Sequence, residues 1–212
     1  MVRKVFWDDP YQTTLDTTVA SVDGARIRLT ETIFFAFSGG QESDSGSIGG
    51  HPVRDASTNG DNIDYTLTPD HGLAPGDPVH VAIDWPRRYR LMRLHFAAEV
   101  VLELVYKRLG PVERIGAHIA EDKARIDFRL DENISTHFDA LTADANAIVD
   151  ADMNIQSAFS DEAAGRRFWK IPDFGEVPCG GTHLKRTGEI GAISLKRKNI
   201  GGGKERIEVF VS

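Results

Sequence analysis

The segment DWPRRYRLMRLHFAAEVVLELVYKRLGP, residues 84–111, decides how this chain is organised. Asp84 is a favourable helix N-cap, and Pro86 fits a first helical turn, where backbone N–H groups have no partner within the helix. The next glycine and proline are Gly110-Pro111, a combination typical of a helix end. Between them, apolar residues recur at 3–4 spacing, at Tyr89, Met92, Phe96, Val100 and Leu104. The segment therefore predicts an α-helix over residues 85–109.

Short β-strands are predicted before this helix. Asp23-Gly24 lies between two alternating segments, which is typical of a β-hairpin. Strand-forming residues follow over 31–37, 62–67 and 79–84, separated by glycine and proline turns. Residues 1–84 therefore predict a small β-barrel domain.

The rest of the chain, residues 85–212, predicts a second domain of mixed structure. Beyond the first helix, the sequence predicts a helix near 132–149, a short helix opening at Ser160, and several strands, at 112–120, 124–130, 168–171, 189–198 and 206–211. The expected fold class is α+β, with a small N-terminal β-barrel followed by two main helices on an antiparallel sheet.

Charge is distributed unevenly along the chain. The net charge is −7, but residues 1–84 carry five Lys/Arg against thirteen Asp/Glu (−8), whereas residues 85–212 carry twenty against nineteen (+1). Residues 166–206 hold ten basic and four acidic residues. Such a stretch can steer a phosphate-bearing partner, although an ordinary solvated sheet edge has the same composition.

Composition also excludes several protein classes. No apolar run approaches the roughly 20 residues of a membrane span, and the N-terminus lacks the apolar stretch of a signal peptide. The one cysteine, Cys179, cannot form an intrachain disulfide. We expect a cytoplasmic protein with no membrane contact, and no obligate protein partner is evident.

The candidate chemistry lies in Pro178-Cys-Gly-Gly-Thr-His183, a loop too rich in glycine to be helical. A thiolate and an imidazole are ligands that zinc prefers. Upstream, His95 and Glu99 have the i, i+4 spacing that places two side chains on one face of a helix. Together the four residues predict a divalent metal site. Taken singly, His95 is more often a core histidine than a ligand, and Glu99 is more often a surface carboxylate or a salt-bridge partner.

A second candidate is Gly39-Gly40-Gln41, which is either a wide hairpin loop or a loop that brings an amide near a substrate. Gln41 and Thr182 are candidate catalytic residues. The backbone amides of Gly180 and Gly181 are candidates for binding a substrate or an oxyanion.

These motifs resemble those of the AlaX proteins, which are free-standing relatives of the editing domain of alanyl-tRNA synthetase. The resemblance is carried by GGQ with Asp44 and Gly46 behind it, by DWPRRYRLM before His95, and by PCGGTH followed by TGEIG at 187–191. The order of the motifs agrees over nearly the whole chain. Its length and predicted barrel fit the medium-length form.

The resemblance implies hydrolysis of serine or glycine wrongly attached to alanine-specific tRNA. It implies zinc held by His95, Cys179 and His183, with Glu99 standing where the family has a second histidine and Phe96 where many members have threonine. For such a function we expect the phosphates of the tRNA acceptor end to meet Arg87, Arg88, Arg90 and the basic stretch 166–206.

Two other functions remain open at this point. A non-catalytic or repurposed tRNA-binding relative could retain the fold after Glu99 had damaged the metal site. A metallohydrolase for another small acyl ester or amide would need no RNA.

Overall fold

The computed structural model describes residues 2–212 and shows α-helices combined with mainly antiparallel β-sheets. Helix α1 covers Trp85–Leu109 and helix α2 covers Phe138–Asp150. The strands in chain order are β1 (Arg3–Lys4), β2 (Thr14–Asp23), β3 (Arg26–Leu29), β4 (Glu31–Thr32), β5 (Gly46–Ile48), β6 (His51–Pro52), β7 (Asp55–Asn59), β8 (Asn62–Thr66), β9 (Pro78–Ile83), β10 (Glu113–Ile119), β11 (Ala124–Arg129), β12 (Gln156–Asp161), β13 (Arg166–Ile171), β14 (Gly175–Pro178), β15 (Ile193–Asn199) and β16 (Lys204–Val211). The predicted α+β class is confirmed.

The chain forms two compact units. The first contains the residues up to Ser38 together with Glu42–Arg90, and the second contains Gly39–Gln41 together with Leu91–Ser212. The sequence predicts a domain boundary between residues 84 and 85, which is where α1 begins, whereas the two compact units divide between Arg90 and Leu91. The division into two domains at residue 84 stays a prediction.

The first unit is built on an antiparallel sheet with the strand order β6-β5-β9-β2-β3-β8-β7. The long strand β2 joins the two halves, because its first part pairs with β9 and its second part pairs with β3. The hairpin expected at Asp23-Gly24 is present, with Asp23 opposite Arg26. The predicted N-terminal β-structure is thus confirmed as an antiparallel sheet that packs on one hydrophobic core. Closure of this sheet into a barrel stays a prediction.

A buried ion pair organises the core of the first unit. Both Arg88 and Asp44 have fully buried side chains, and the guanidinium meets the carboxylate through two N–H groups, one of them 2.7 Å from Oδ1. Arg88 also donates to the carbonyl oxygens of Pro10 at 2.9 Å and Ile33 at 2.6 Å. Because the Arg88 side chain is fully buried, it offers no surface to an RNA phosphate, and we correct its expected role to a structural one.

The same carboxylate explains why the strand predicted over residues 31–37 is short. Only Glu31–Thr32 forms a strand. Residues 33–36 are buried outside any strand, and the exposed Phe37 forms an isolated bridge with Ser57. The backbone N–H of Phe35 instead donates to Asp44 Oδ2 at 2.7 Å. A side chain therefore satisfies a buried amide that a neighbouring strand would otherwise have bonded.

The second unit contains two antiparallel sheets, ordered β10-β11-β16-β15 and β12-β13-β14. Helix α2 is fixed to β15 by the side-chain amide of Asn146, which donates to the carbonyl of Ile193 at 2.9 Å and accepts from its N–H at 2.8 Å. The loop Gly39–Gln41 joins this unit at β10, where the N–H of Ile119 donates to the carbonyl of Gly40 at 2.8 Å. A side chain at position 40 would lie 2.8 Å from the carbonyl oxygen of Ala117, so this approach requires glycine.

One predicted element is wrong. The sequence predicts a short helix opening at Ser160, but strand β12 continues to Asp161 and then turns into β13. The Asp161 carboxylate accepts from the N–H of Ala164 at 3.0 Å, and Gly165 turns with φ 62°. An aspartate that can cap a helix can also close a turn, and here pairing with β13 favours the turn.

Within residues 2–212, no helix combines the length and the apolar character that crossing a membrane requires.

Substituting Asp44→Asn is expected to lower the free energy of unfolding by about 3–5 kcal/mol, because the buried Arg88 cation loses its counter-charge. Chemical denaturation followed by circular dichroism measures this. The matched control is Asp16→Asn, which removes a carboxylate from an exposed pair with His80 and should change stability little. Equal losses in the two variants would contradict the structural role of Arg88 and Asp44.

Candidate metal centre

Helix α1 supplies two of the predicted metal ligands. His95 and Glu99 are one turn apart on the helix, and His95 Nε2 lies 3.4 Å from Glu99 Oε1. Both side chains are largely buried, with 6% and 13% of their surface exposed. The spacing predicted from the sequence thus places an imidazole and a carboxylate together, facing the interior of the second unit.

The other two ligands come from the loop that follows β14. Its start is anchored by the N–H of Cys179, which donates to the carbonyl of Arg167 on β13 at 2.9 Å. The loop then passes very close to α1, since a side chain at Gly181 would lie 2.2 Å from Cε1 of His95. No other residue fits in this space, so Gly181 allows the loop to reach the helix.

The potential donor atoms converge on one point. Cys179 Sγ lies 3.5 Å from His95 Nε2, 3.2 Å from His183 Nε2 and 3.9 Å from Glu99 Oε1. Donor atoms of His95, Cys179 and His183 all lie within 4.8 Å of one another. Around a tetrahedral zinc, Zn–S and Zn–N distances of ~2.3 and ~2.1 Å place neighbouring ligand atoms about 3.3–3.6 Å apart. The cluster is therefore compatible with zinc in both chemistry and spacing.

Three of the four donor side chains have a second contact on the side away from the cluster. The Trp169 indole N–H donates to Glu99 Oε2 at 3.1 Å, and the Ser157 hydroxyl is 2.9 Å from His183 Nδ1. His95 Nδ1 lies 3.4 Å from the carbonyl oxygen of Thr182. Bonds of this kind fix the ring or carboxylate orientation that a metal ligand needs. Sequence patterns alone could not identify Trp169 or Ser157, because neither belongs to the cysteine motif and only the folded chain brings them to it.

The two histidines are driven to opposite protonation states. Burial alone would lower the pKa of His95, but the Cys179 sulfur and the Glu99 carboxylate beside it raise that pKa to about 10. Burial lowers the pKa of His183 well below its usual value, and the neighbouring charges of His95 and Arg167 lower it further. Burial would raise the pKa of Glu99, yet the hydrogen bond from His95 lowers it overall. A cation among these groups would therefore take the place of a proton on His95.

Gln41 and Thr182 lie beside the cluster and bond to each other. Gln41 Nε2 donates to Thr182 Oγ1 at 2.8 Å, and Gln41 Oε1 accepts from the Thr182 N–H at 3.3 Å. Each residue is only 1% exposed. One glutamine side chain thus binds both the hydroxyl and the backbone N–H of Thr182, the loop residue that precedes His183.

The remaining predicted residues differ in their exposure and contacts. Gly180 is exposed at the tip of the loop, and Cys179 and Gly181 are half-buried, so solvent reaches the cluster from this side. Arg87 belongs to the first unit and forms an ion pair with Glu42 at 2.7 Å. Phe96 is fully buried, and its ring packs edge-on against Trp169 and His183 at centroid distances of 5.2 and 5.9 Å.

Comparison with known proteins matches the chain to one family. Residues 167–208, which include the cysteine loop, match the threonyl and alanyl tRNA synthetase second additional domain. The alanyl-tRNA editing protein AlaX-M of Pyrococcus horikoshii is 32% identical over 215 residues, which cover all of this chain and 98% of that protein. AlaX-M of Methanosarcina mazei is 30% identical over 99% of this chain and 96% of its own length.

A synthetase is similar over the same region. The alanine–tRNA ligase of Staphylothermus marinus is 30% identical over 99% of this chain, which spans 26% of that enzyme. The similarity to AlaX-M proteins instead extends over nearly the full length of both partners. The chain therefore belongs to the AlaX-M family of alanyl-tRNA editing proteins.

Proposed function

We propose that this protein is a hydrolase that removes serine or glycine from mischarged alanine tRNA with the help of a zinc ion. The observation that carries the proposal is the convergence of His95, Cys179 and His183 donor atoms in a chain whose full-length relatives are named alanyl-tRNA editing proteins. The reaction adds water across the ester that joins the amino acid to the tRNA ribose, releasing the amino acid and the intact tRNA.

The ion would be held by His95, Cys179 and His183, with Glu99 as the fourth donor. When bound there, zinc supplies a Lewis acid that can activate water or orient the aminoacyl group beside the ester. The site residues fit this task, because a thiolate, two imidazoles and a carboxylate are all established zinc ligands. Cys179 then serves as a ligand, and this occupies the thiolate that could otherwise act as a nucleophile.

The other side chains and amides near the cluster have roles that follow from their exposure. Gln41 and Thr182 are buried and bonded to each other, so we assign them a positioning role instead of the direct catalytic one expected from the sequence. They hold the loop in the form that presents His183. The amides of Gly180 and Gly181 lie at the accessible side of the loop and are suited to bind the ester oxygen.

Basic side chains of the second unit are suited to meet the phosphates of the tRNA acceptor end. Lys196 and Lys198 occupy exposed positions on β15, and Lys185 is exposed just after the cysteine loop. These contacts would raise affinity without reading sequence, and they should weaken as salt increases.

A second candidate function is a tRNA-binding module that has lost hydrolysis, and Glu99 is the observation that favours it. With Cys179 it brings two negative ligands, which together cancel the charge of a divalent cation and reduce its Lewis acidity. The contacts of Glu99 support the enzyme reading instead, because this carboxylate faces His95 and Cys179 and is itself fixed by Trp169.

Purified protein is expected to contain about one equivalent of zinc and to release serine from Ser-tRNA, and Cys179→Ala should lose both because it removes the thiolate. Elemental analysis and a deacylation assay on the same samples measure this. Wild-type protein with neither metal nor turnover would contradict the proposal.

Substituting Glu99→His tests the two candidate functions. We expect about a tenfold loss of zinc affinity and no gain in deacylation, because the Trp169 indole N–H loses its carboxylate acceptor. Chelator competition and single-turnover deacylation are the measurements. A gain in deacylation would show that Glu99 has damaged the site and would favour the binding module.

Substituting Gly181→Ala should abolish tight zinc binding, because the added methyl overlaps the His95 ring and separates the loop from α1. The matched control is Gly180→Ala, whose added methyl meets no atom within 4 Å. Zinc affinity of both folded variants, measured by chelator competition, is the readout. Similar affinity in Gly181→Ala and Gly180→Ala would contradict the requirement for this close approach.

A further inference from the structure

The second layer of the metal centre comes from one pair of strands. Ser157 on β12 and Trp169 on β13 are directly opposite each other in the antiparallel register. Residues in this position project from the same face of a sheet. Here their polar atoms reach two different donors, since Trp169 bonds Glu99 at 3.1 Å and Ser157 bonds His183 at 2.9 Å.

The same strand also holds the third donor by its backbone. The carbonyl of Arg167, two positions before Trp169 on β13, accepts from the N–H of Cys179 at 2.9 Å. Glu99 lies on helix α1, whereas Cys179 and His183 lie in the loop after β14, about 80 residues later in the chain. All three nevertheless bond to the β12–β13 pair.

We propose that the Ser157–Trp169 cross-strand pair positions the metal ligands, and that Trp169 in particular makes Glu99 a ligand through a single oxygen. This inference rests on the proposed zinc-dependent function. The indole N–H occupies Oε2, while Oε1 lies 3.4 Å from His95 Nε2 and 3.9 Å from Cys179 Sγ. With one oxygen fixed, the carboxylate cannot rotate freely, and only the other oxygen faces the cluster.

Trp169 and Ser157 differ in their exposure, and this difference predicts which of them matters more for metal binding. Trp169 is 0% exposed, so water cannot replace its N–H when the indole is removed, and Glu99 Oε2 would be left buried without a donor. Ser157 is exposed, so water can take the place of its hydroxyl next to His183 Nδ1. Loss of the indole N–H should therefore weaken metal binding more than loss of the hydroxyl.

Packing against Trp169 gives it a second role that the experiment must separate. Its ring contacts Phe96 at a centroid distance of 5.2 Å and stacks on Phe174 at 6.4 Å. Trp169→Phe keeps an aromatic ring in this space but removes the hydrogen-bond donor. A role in packing alone acts on metal binding whether or not residue 99 carries a charge, whereas positioning acts only through the Glu99 carboxylate.

The test is a double-mutant cycle on metal affinity in the full chain. Zinc affinity is measured by chelator competition for wild type, Trp169→Phe, Glu99→Gln and the double variant, with cobalt(II) absorption reporting the ligand field. We expect Trp169→Phe to weaken zinc binding 10- to 100-fold and to shift the cobalt bands. In the Glu99→Gln background, the same change should have little further effect. Ser157→Ala should weaken binding only a few-fold.

Trp85→Phe is the matched control, since Trp85 lies in the first unit and stacks on Tyr89. It should leave both the zinc affinity and the cobalt spectrum unchanged. An equal loss from Trp169→Phe in both backgrounds, or no loss in either, would overturn the positioning role. If wild-type protein binds no metal, the proposed function itself fails, which is a separate outcome from a failed cycle.

A measurement on unmodified Trp169 covers the case in which Trp169→Phe does not fold. The indole N–H signals of the metal-free protein are compared by nitrogen-15 NMR between wild type and Glu99→Ala, which leaves the indole N–H without its acceptor. We expect the Trp169 signal alone to move and to exchange faster with solvent. An unchanged Trp169 signal would contradict the hydrogen bond on which the inference depends.

Discussion

The close approach of the cysteine loop to helix α1 is the constraint on which the second unit's chemistry depends. At Gly181 the backbone passes so near the His95 ring that any side chain would overlap it. This contact brings Cys179 and His183 to the face of the helix that carries His95 and Glu99. Gln41 binds the next residue of the loop through both ends of its amide. Gly181 and Gln41 therefore both hold the cysteine loop in its position against α1, although they are far apart in sequence.

Electrostatics supports the cation binding that we propose for this geometry. Burial disfavours charge on His95, Glu99 and His183, yet these three side chains are held against one another and against the half-buried Cys179 sulfur. Without a metal, the Cys179 sulfur and the Glu99 carboxylate raise the pKa of His95 and favour a proton on its ring. A zinc ion would replace that proton and satisfy every inward-facing atom together. The outward-facing atoms of Glu99 and His183 are already bonded to β12 and β13, which limits reorganisation on binding.

The sequence predicted the parts of this arrangement that depend on local spacing. The helix over 85–109, the i, i+4 pair on it and the glycine-rich cysteine loop all follow from short-range patterns. It could not predict contacts set by tertiary packing. Arg88 looked like a basic surface residue because burial of an arginine depends on a distant partner, Asp44. Trp169 and Ser157 carry no motif, and only the register of β12 with β13 brings them to the ligands.

The central claim is that His95, Glu99, Cys179 and His183 together bind one zinc ion, and X-ray absorption of the zinc-loaded protein tests it most directly. The account predicts one sulfur at about 2.3 Å and three nitrogen or oxygen neighbours at about 2.0–2.2 Å. Glu99→Gln should alter the nitrogen and oxygen shell and leave the sulfur distance unchanged. A shell without sulfur, or one that Glu99→Gln leaves identical, would contradict the four-ligand site.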